Sequence, residues 1–233
     1  MTDNLKAILL MIVTMAGFSV EDFFIKVASE TVPIGQILVM IGVIGTSANW
    51  FFAWRVRQKL LDRALLTPTL IMRNFAEITA MSTGLVALTI IPLSLASSVL
   101  QAAPLIVTLG AALILKEYVG WRRWSATVVG LAGVMLILTP GAEGFQPAVI
   151  LSVIATICIA ARDLATRATP VGIATLQLTF WGYAFTVPAG LFLTLLFGET
   201  WVMPSAIVAL QIVAAGAIGV VFYYCLTVAL RIG

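Results

Sequence analysis

The sequence contains no histidine and only two cysteines. The lack of histidine excludes histidine-based metal sites, catalytic triads and proton relays. Cys158 and Cys225 both lie inside apolar runs, a setting more typical of small buried side chains than of a disulfide or a metal pair. No paired carboxylates occur in the middle of an apolar run to replace these groups. A membrane-embedded enzyme, which would need such a cluster, is therefore disfavoured.

Charge is also scarce. Charged residues make up 10% of the chain and hydrophobic residues 61%, whereas a soluble domain has about 25% charged residues. So few polar groups cannot cover the surface in water, so we expect lipid to be the main solvent. The net charge of +3 comes from basic residues that separate apolar runs and form no patch, which argues against nucleic-acid binding.

Eight apolar segments are close to or above the length of about 20 residues that a helix needs to cross a bilayer. They are predicted at 5–25, 33–54, 69–91, 93–115, 121–139, 146–165, 171–197 and 205–230. The segments lack the period-2 alternation of a membrane barrel, and prolines mark the breaks between them. The first segment is interpreted as a retained helix and not as a cleaved signal peptide. The predicted fold class is an all-α integral membrane protein, a multi-span transmembrane helix bundle.

The distribution of basic residues predicts the orientation. With the N-terminus inside, inner segments hold 11 of the 13 basic residues, as the positive-inside rule requires. These residues are Lys6, Arg55, Arg57, Lys59, Arg63, Lys116, Arg122, Arg123, Arg162, Arg167 and Arg231. We therefore predict a multi-pass protein of the plasma (bacterial inner) membrane with a cytoplasmic N-terminus.

The two parts of the chain share weak matches in the same order. They are SVEDFFIK (19–26) with AARDLATR (160–167), Pro68 with Pro204, and ALTII (87–91) with ALRIG (229–233). Because five spans precede the second unit, that unit must enter the membrane from the opposite side, as in an inverted repeat. The predicted units are 1–140, with spans one to five, and 141–233, with spans six to eight.

One stretch resembles a known family. SLASSVLQAAPLIVTLGAALILKEYVGWRRWSATVVGLAGVMLIL (94–138) is similar to spans four and five of the drug/metabolite transporter superfamily, EamA type. The similarity includes Pro104 within the helix, Glu117 at its end, and Gly130 and Gly133 in the next span. The resemblance implies inverted five-helix repeats.

The same resemblance implies a secondary transporter without a cofactor. It would move an amino acid, a vitamin or a nucleoside-type compound by alternating access, driven by an ion or proton gradient or by the substrate's own gradient. Counterparts of spans four and five are missing from the second unit, which favours a shortened sequence. The alternative is a non-transporting or partner-completed membrane subunit. The glycine-spaced helices would permit a homodimer.

Arg73 and Glu77 are conspicuous at the start of the third span. At positions i and i+4 they share a helix face and can pair. A charged residue inside a membrane helix usually marks a substrate or ion pathway. Glu77 is predicted either to neutralise Arg73 near the inner headgroups or to face a polar cavity, where it would bind a cation, a proton or a substrate amine.

A polar stripe follows one face of the fourth span at Ser97, Gln101, Pro104 and Thr108. Pro104 removes a backbone hydrogen bond and should kink the helix near Leu100. In lipid, a carbonyl freed in this way needs protein or a water-filled cavity beside it. The stripe therefore predicts either a cavity wall, which the resemblance favours, or a polar contact between helices.

Further pathway candidates come from the first and eighth spans. Thr14 and Ser19 lie on the first span, and Glu21–Asp22 at its outer end could be either solvated or part of an outer mouth. Tyr223 and Tyr224 lie too deep in span eight for a headgroup belt and are predicted to stack on a planar substrate. Trp181 and Tyr183 are predicted to be interface anchors.

Overall fold

The structure, a computed structural model, describes residues 3–114, 116–138, 146–170 and 172–232. These residues form nine α-helices and a short 3-10 helix at Arg63–Leu66, with no strand among them. The helices are α1 (Asp3–Ala28), α2 (Ile34–Arg55), α3 (Pro68–Ile90), α4 (Leu93–Leu100), α5 (Ala103–Leu113), α6 (Trp121–Leu138), α7 (Val149–Arg167), α8 (Thr175–Phe197) and α9 (Ala206–Ile232). They coincide within a few residues with the eight predicted segments, except that the fourth segment contains two helices.

Proline and glycine define several helix ends. Pro33 and Pro92 directly precede α2 and α4, and Pro68 is the first residue of α3. Proline suits these positions because its φ is already helical and the first-turn N–H has no helical partner to lose. Gly198 ends α8 in the left-handed region, at φ 61°, where a Cβ would be strained.

Six helical segments are long and apolar enough to cross a membrane. They are Leu5–Ala28, Ile34–Arg55, Leu93–Leu113, Val149–Arg167, Thr175–Phe197 and Ala206–Ile232. Helices α3 and α6 are not among them; α3 has a polar face that includes Arg73 and Glu77. The fold is a helical membrane bundle, and a membrane crossing by α3 or α6 stays a prediction.

Three helix pairs organise the bundle: α2 packs on α8, α1 on α9, and α3 on α7. The α2–α8 contact is close because glycines line it. A Cβ on Gly190 would lie 2.7 Å from the carbonyl oxygen of Gly35, and one on Gly42 would lie 3.0 Å from the backbone nitrogen of Val187. A larger residue at these positions would force the helices apart.

The fourth predicted segment is interrupted at Gln101 and Ala102, between α4 and α5, and Pro104 lies in the first turn of α5. The interruption leaves carbonyls without their usual helical donors. The Val99 carbonyl accepts the Ala102 N–H at 3.0 Å. The Thr156 hydroxyl of α7, which donates to the Ser152 carbonyl at 2.6 Å, also lies 3.2 Å from the Val99 carbonyl. The broken segment thus lies against a polar side chain of α7.

Candidate functional site

A cavity of about 740 Å³ lies at the centre of the bundle. Its walls come from α1, α3, α4, α5, α7, α8 and α9. Most of the lining is apolar, and the charged residues that reach it are Glu21, Asp22, Glu77, Arg162, Asp163 and Arg167. A largely apolar cavity of this size with a few polar groups is typical of a small-molecule site.

Glu77 of α3 makes its closest ion pair with another helix. Arg162 Nη1 of α7 lies 3.2 Å from Glu77 Oε1, whereas Arg73 Nη2 lies 3.9 Å from Glu77 Oε2. The hydroxyl of Tyr223, on α9, donates a hydrogen bond to Oε2. Glu77 therefore joins three helices, which goes beyond the predicted pairing with Arg73 along one helix.

Arg162 connects two carboxylates. Its Nη2 lies 2.7 Å from Asp163 Oδ1, and its Nε donates to the same oxygen at 2.8 Å. Since Nη1 is directed at Glu77, one guanidinium neutralises an acid on its own helix and another on α3. The fork of donors on arginine is suited to such bridging.

Arg73 lies behind Tyr223 and is fully buried, with 0% of its surface exposed. Its Nη2 donates to the Tyr223 hydroxyl at 2.6 Å and its Nε to Thr166 Oγ1 at 3.2 Å. The Tyr223 hydroxyl thus accepts from Arg73 and donates to Glu77. The Tyr183 ring lies edge-on to the Tyr223 ring, with the centroids 5.5 Å apart.

These contacts have a clear energetic role. A charged side chain at the centre of a membrane helix costs about 2.5–3.5 kcal/mol on insertion scales. Breaking a buried ion pair by removing one partner costs about 3–5 kcal/mol, because the other charge stays buried. We refer to Arg73, Glu77, Arg162, Asp163 and Tyr223 as the buried network. Its charges can stay in the bundle because they satisfy one another.

The structure brings many of the predicted pathway residues together. The predicted residues that line the cavity are Ser19, Glu77, Ser97, Gln101, Pro104, Thr108 and Tyr223. The hydroxyls of Ser19 and Thr108 donate to the carbonyls of Met15 and Pro104, one turn earlier on their own helices. Both side chains remain beside the cavity.

Three predicted residues lie outside the lining. Arg73 is buried behind Tyr223. Thr14 is also buried, and its hydroxyl has no hydrogen-bond partner among the described residues. Tyr224 is 41% exposed and is directed away from the cavity that Tyr223 lines.

Sequence reasoning missed three residues of the site, Arg162, Asp163 and Tyr183. Arg162 was counted as an inner-segment charge, but it is buried against Glu77. Tyr183 was predicted to be an interface anchor, and this is wrong because it is buried in the cavity wall. A signal for the α7 part of the site was present, since the repeat aligns Asp163 with Asp22.

Comparison with known proteins identifies the family. Residues 5–139 match the EamA-like transporter family. An S-adenosylmethionine uptake transporter of Rickettsia prowazekii is 29% identical over 136 residues, which cover 58% of this chain and 45% of the relative. A riboflavin transporter of Rhizobium johnstonii is 31% identical over 140 residues, which cover 60% of this chain and 45% of the relative.

A shorter match has higher identity. A riboflavin transporter of Vibrio cholerae is 41% identical over 63 residues, which cover 27% of this chain and 21% of the relative. The chain thus matches less than half of the length of these relatives. The family match covers more than half of the chain and confirms the resemblance drawn from residues 94–138. The chain belongs to the EamA-like transporter family, a family of membrane transporters and not of enzymes.

Proposed function

We propose that this protein is a secondary transporter that moves a small organic metabolite across the bacterial inner membrane by alternating access. The main support is the buried network, which borders a cavity of about 740 Å³ in the middle of the bundle. Ionisable residues at membrane depth are rare, and they usually mark a pathway. The family match and the transporter names of the relatives point the same way.

We further propose that the helices form two inverted units. Residues 1–140 would contain spans one to five, and residues 141–233 would contain spans six to eight. The helix pairs support this arrangement. In the repeat, α1 corresponds to α7, α2 to α8, and α3 to α9. If the two units are exchanged, the α1–α9 pair becomes the α7–α3 pair, and the α2–α8 pair becomes itself. All three pairs are in contact, as such a symmetry requires.

The orientation, with the N-terminus in the cytoplasm, is part of the same proposal. Once Arg162 is assigned to the buried network, ten basic residues remain in the predicted inner segments. That bias still favours a cytoplasmic N-terminus by the positive-inside rule.

In this mechanism the buried network joins the two units. Glu77 belongs to the first unit, whereas Arg162 and Tyr223 belong to the second. A rocking motion that separates α3 from α7 has to break the contact between Glu77 and Arg162. A substrate, a proton or a coupling cation that bound Glu77 would compensate for this loss, and so would link its own passage to the motion.

The test is transport by a Glu77→Gln variant in proteoliposomes, with S-adenosylmethionine and riboflavin as first probes. The amide keeps the shape of the side chain, and Arg162 keeps Asp163 as its partner, so we expect the variant to fold. Loss of one charge-assisted contact should lower uptake by about tenfold or more. Glu30→Gln, at an exposed carboxylate beyond the end of α1, is the control. Uptake by Glu77→Gln equal to that of the control would reject a role for Glu77 in transport.

A further inference from the structure

The cavity wall carries two acidic groups, Glu21 with Asp22 and Glu77 with Asp163, that differ in how their charges are balanced. Four carboxylates and two guanidinium groups of the described residues line it. Arg162 is shared by Glu77 and Asp163, and Arg167 pairs with Glu117 at 3.3 Å. Both lining cations are therefore engaged. In the described part of the chain, neither Glu21 nor Asp22 has a cationic partner.

Glu21 is directed into the cavity although it is only 8% exposed. Its Oε1 lies above Gly219 of α9, where an added Cβ would be 2.5 Å from it. The same Cβ would be 2.8 Å from the Tyr183 hydroxyl. Two buried oxygen atoms from α1 and α8 thus converge over one glycine. Neither makes a hydrogen bond to another side chain within the described ranges, so both are available to a ligand.

We propose that Glu21, Asp22 and Tyr183 form a subsite for an organic cation, the positively charged group of the transported metabolite. This deepens the proposed function and rests on it. A carboxylate buried without a partner is costly in a membrane protein. A bound ammonium or sulfonium group would supply the missing charge, and nothing in the described protein does so.

The surroundings suit an organic cation better than a metal ion. The α1 side of the cavity wall includes Phe18, one turn from Glu21, and further along the helix Met15 and Met11. Thioether and aromatic groups attract weakly hydrated cations. A metal site needs several hard ligands, and the described residues contain no group of three or more His, Cys, Asp or Glu side chains that could hold one. The ring of Tyr183 adds a further surface for a cation–π contact.

The experiment measures binding to the purified protein in lipid nanodiscs. Three probes are used. S-adenosylmethionine carries a sulfonium group, and tetraethylammonium is a simple quaternary ammonium cation with no other polar group. Riboflavin is uncharged. The Glu21→Gln and Asp22→Asn variants remove each charge at constant shape, and Glu30→Gln is the control. Gel filtration identifies any variant that fails to fold. If one of the two carboxylate variants fails, the other is used for the test.

We expect the native protein to bind at least one of the two cations. Glu21→Gln or Asp22→Asn should weaken that binding by about tenfold or more, the cost of one charge-assisted contact. Riboflavin binding, where present, should change by less than about twofold. Glu30→Gln should leave all affinities as in the native protein. Thermal stabilisation by Na⁺ should not occur.

Cation affinities that are equal in the native protein and both variants would overturn the subsite. So would a native protein that binds neither cation, or one that Na⁺ alone stabilises. Riboflavin uptake that is lost in Glu77→Gln, together with no cation binding, would reject the subsite and keep the proposed transporter. If the protein neither binds nor transports any of these probes, the proposed function fails as well.

Discussion

Two helix contacts that are equivalent in the proposed repeat, α3–α7 and α1–α9, carry opposite chemistry. The repeat aligns Arg162 with Glu21, Asp163 with Asp22, and Glu77 with Gly219. In α3–α7 an arginine faces a glutamate, whereas in α1–α9 a glutamate faces a glycine. One contact is thus neutralised within the protein, while the other leaves a buried carboxyl group that has no cationic partner among the described residues. Two equivalent helix pairs of the proposed repeat thus differ in role: α3–α7 holds an ion pair, and α1–α9 carries the proposed cation subsite.

The largest effect should come from Arg162→Leu. This change removes the partner of Glu77 and Asp163, and breaking a buried pair in this way costs about 3–5 kcal/mol. The equivalent change, Glu21→Leu, removes a buried charge that has no cationic partner among the described residues. We expect it to leave the melting temperature unchanged or to raise it.

Thermal unfolding of both variants in detergent gives the measurement. A melting temperature that fell equally in the two variants would show that Glu21 is balanced as Arg162 is, and the contrast between the contacts would be lost.

A smaller effect separates the two contacts by their packing. A Cβ on Gly17 of α1 would lie 2.1 Å from the ring of Phe222 on α9, whereas a Cβ on Gly84 of α3 would lie 3.5 Å from Ala155 on α7. Gly17→Ala should therefore overpack α1–α9 and cost about 1–3 kcal/mol. Gly84→Ala should be neutral or gain up to about 1 kcal/mol from helix propensity. Denaturation of the two variants side by side tests this order, and equal stability would contradict it.

The smallest effect concerns the end of α7. Arg167 pairs with Glu117, with the two side chains 28% and 42% exposed. An ion pair this open to solvent is worth about 0–1 kcal/mol and weakens with salt. Arg167→Gln should thus lower stability slightly at low salt and not at high salt. A loss as large as that of Arg162→Leu would mean that the Arg167 pair is as buried as the network.

The sequence predicted helices well because lipid imposes a simple rule on length and composition. Apolar runs of this length with Pro33, Pro68 and Pro92 at their boundaries are typical of membrane helices. The interruption of the fourth segment was harder to place, because Pro104 indicates a disturbed helix without fixing which residues leave it. At the break, Val99 lies against Thr156 of α7, a tertiary contact that a single sequence does not display.

For the site, a residue was easiest to predict when its side chain differed most in polarity from the residues around it in the sequence. Glu77 was found because a carboxylate within an apolar span is conspicuous. Arg162 was missed because it lies near the end of its apolar run, where burial depends on tertiary packing that charge counting ignores. Tyr183 was misplaced for a related reason. An amphipathic ring suits both a headgroup belt and a cavity wall, and only the contact with Tyr223 decides between them.

The glycine-lined meeting of α2 and α8 has a mechanical consequence. It contains the backbone approach between Gly35 and Gly190, and in the proposed repeat it maps onto itself when the two units are exchanged. A rocking motion of the proposed units would therefore have its axis along the α2–α8 contact. Contacts far from this axis would move the most.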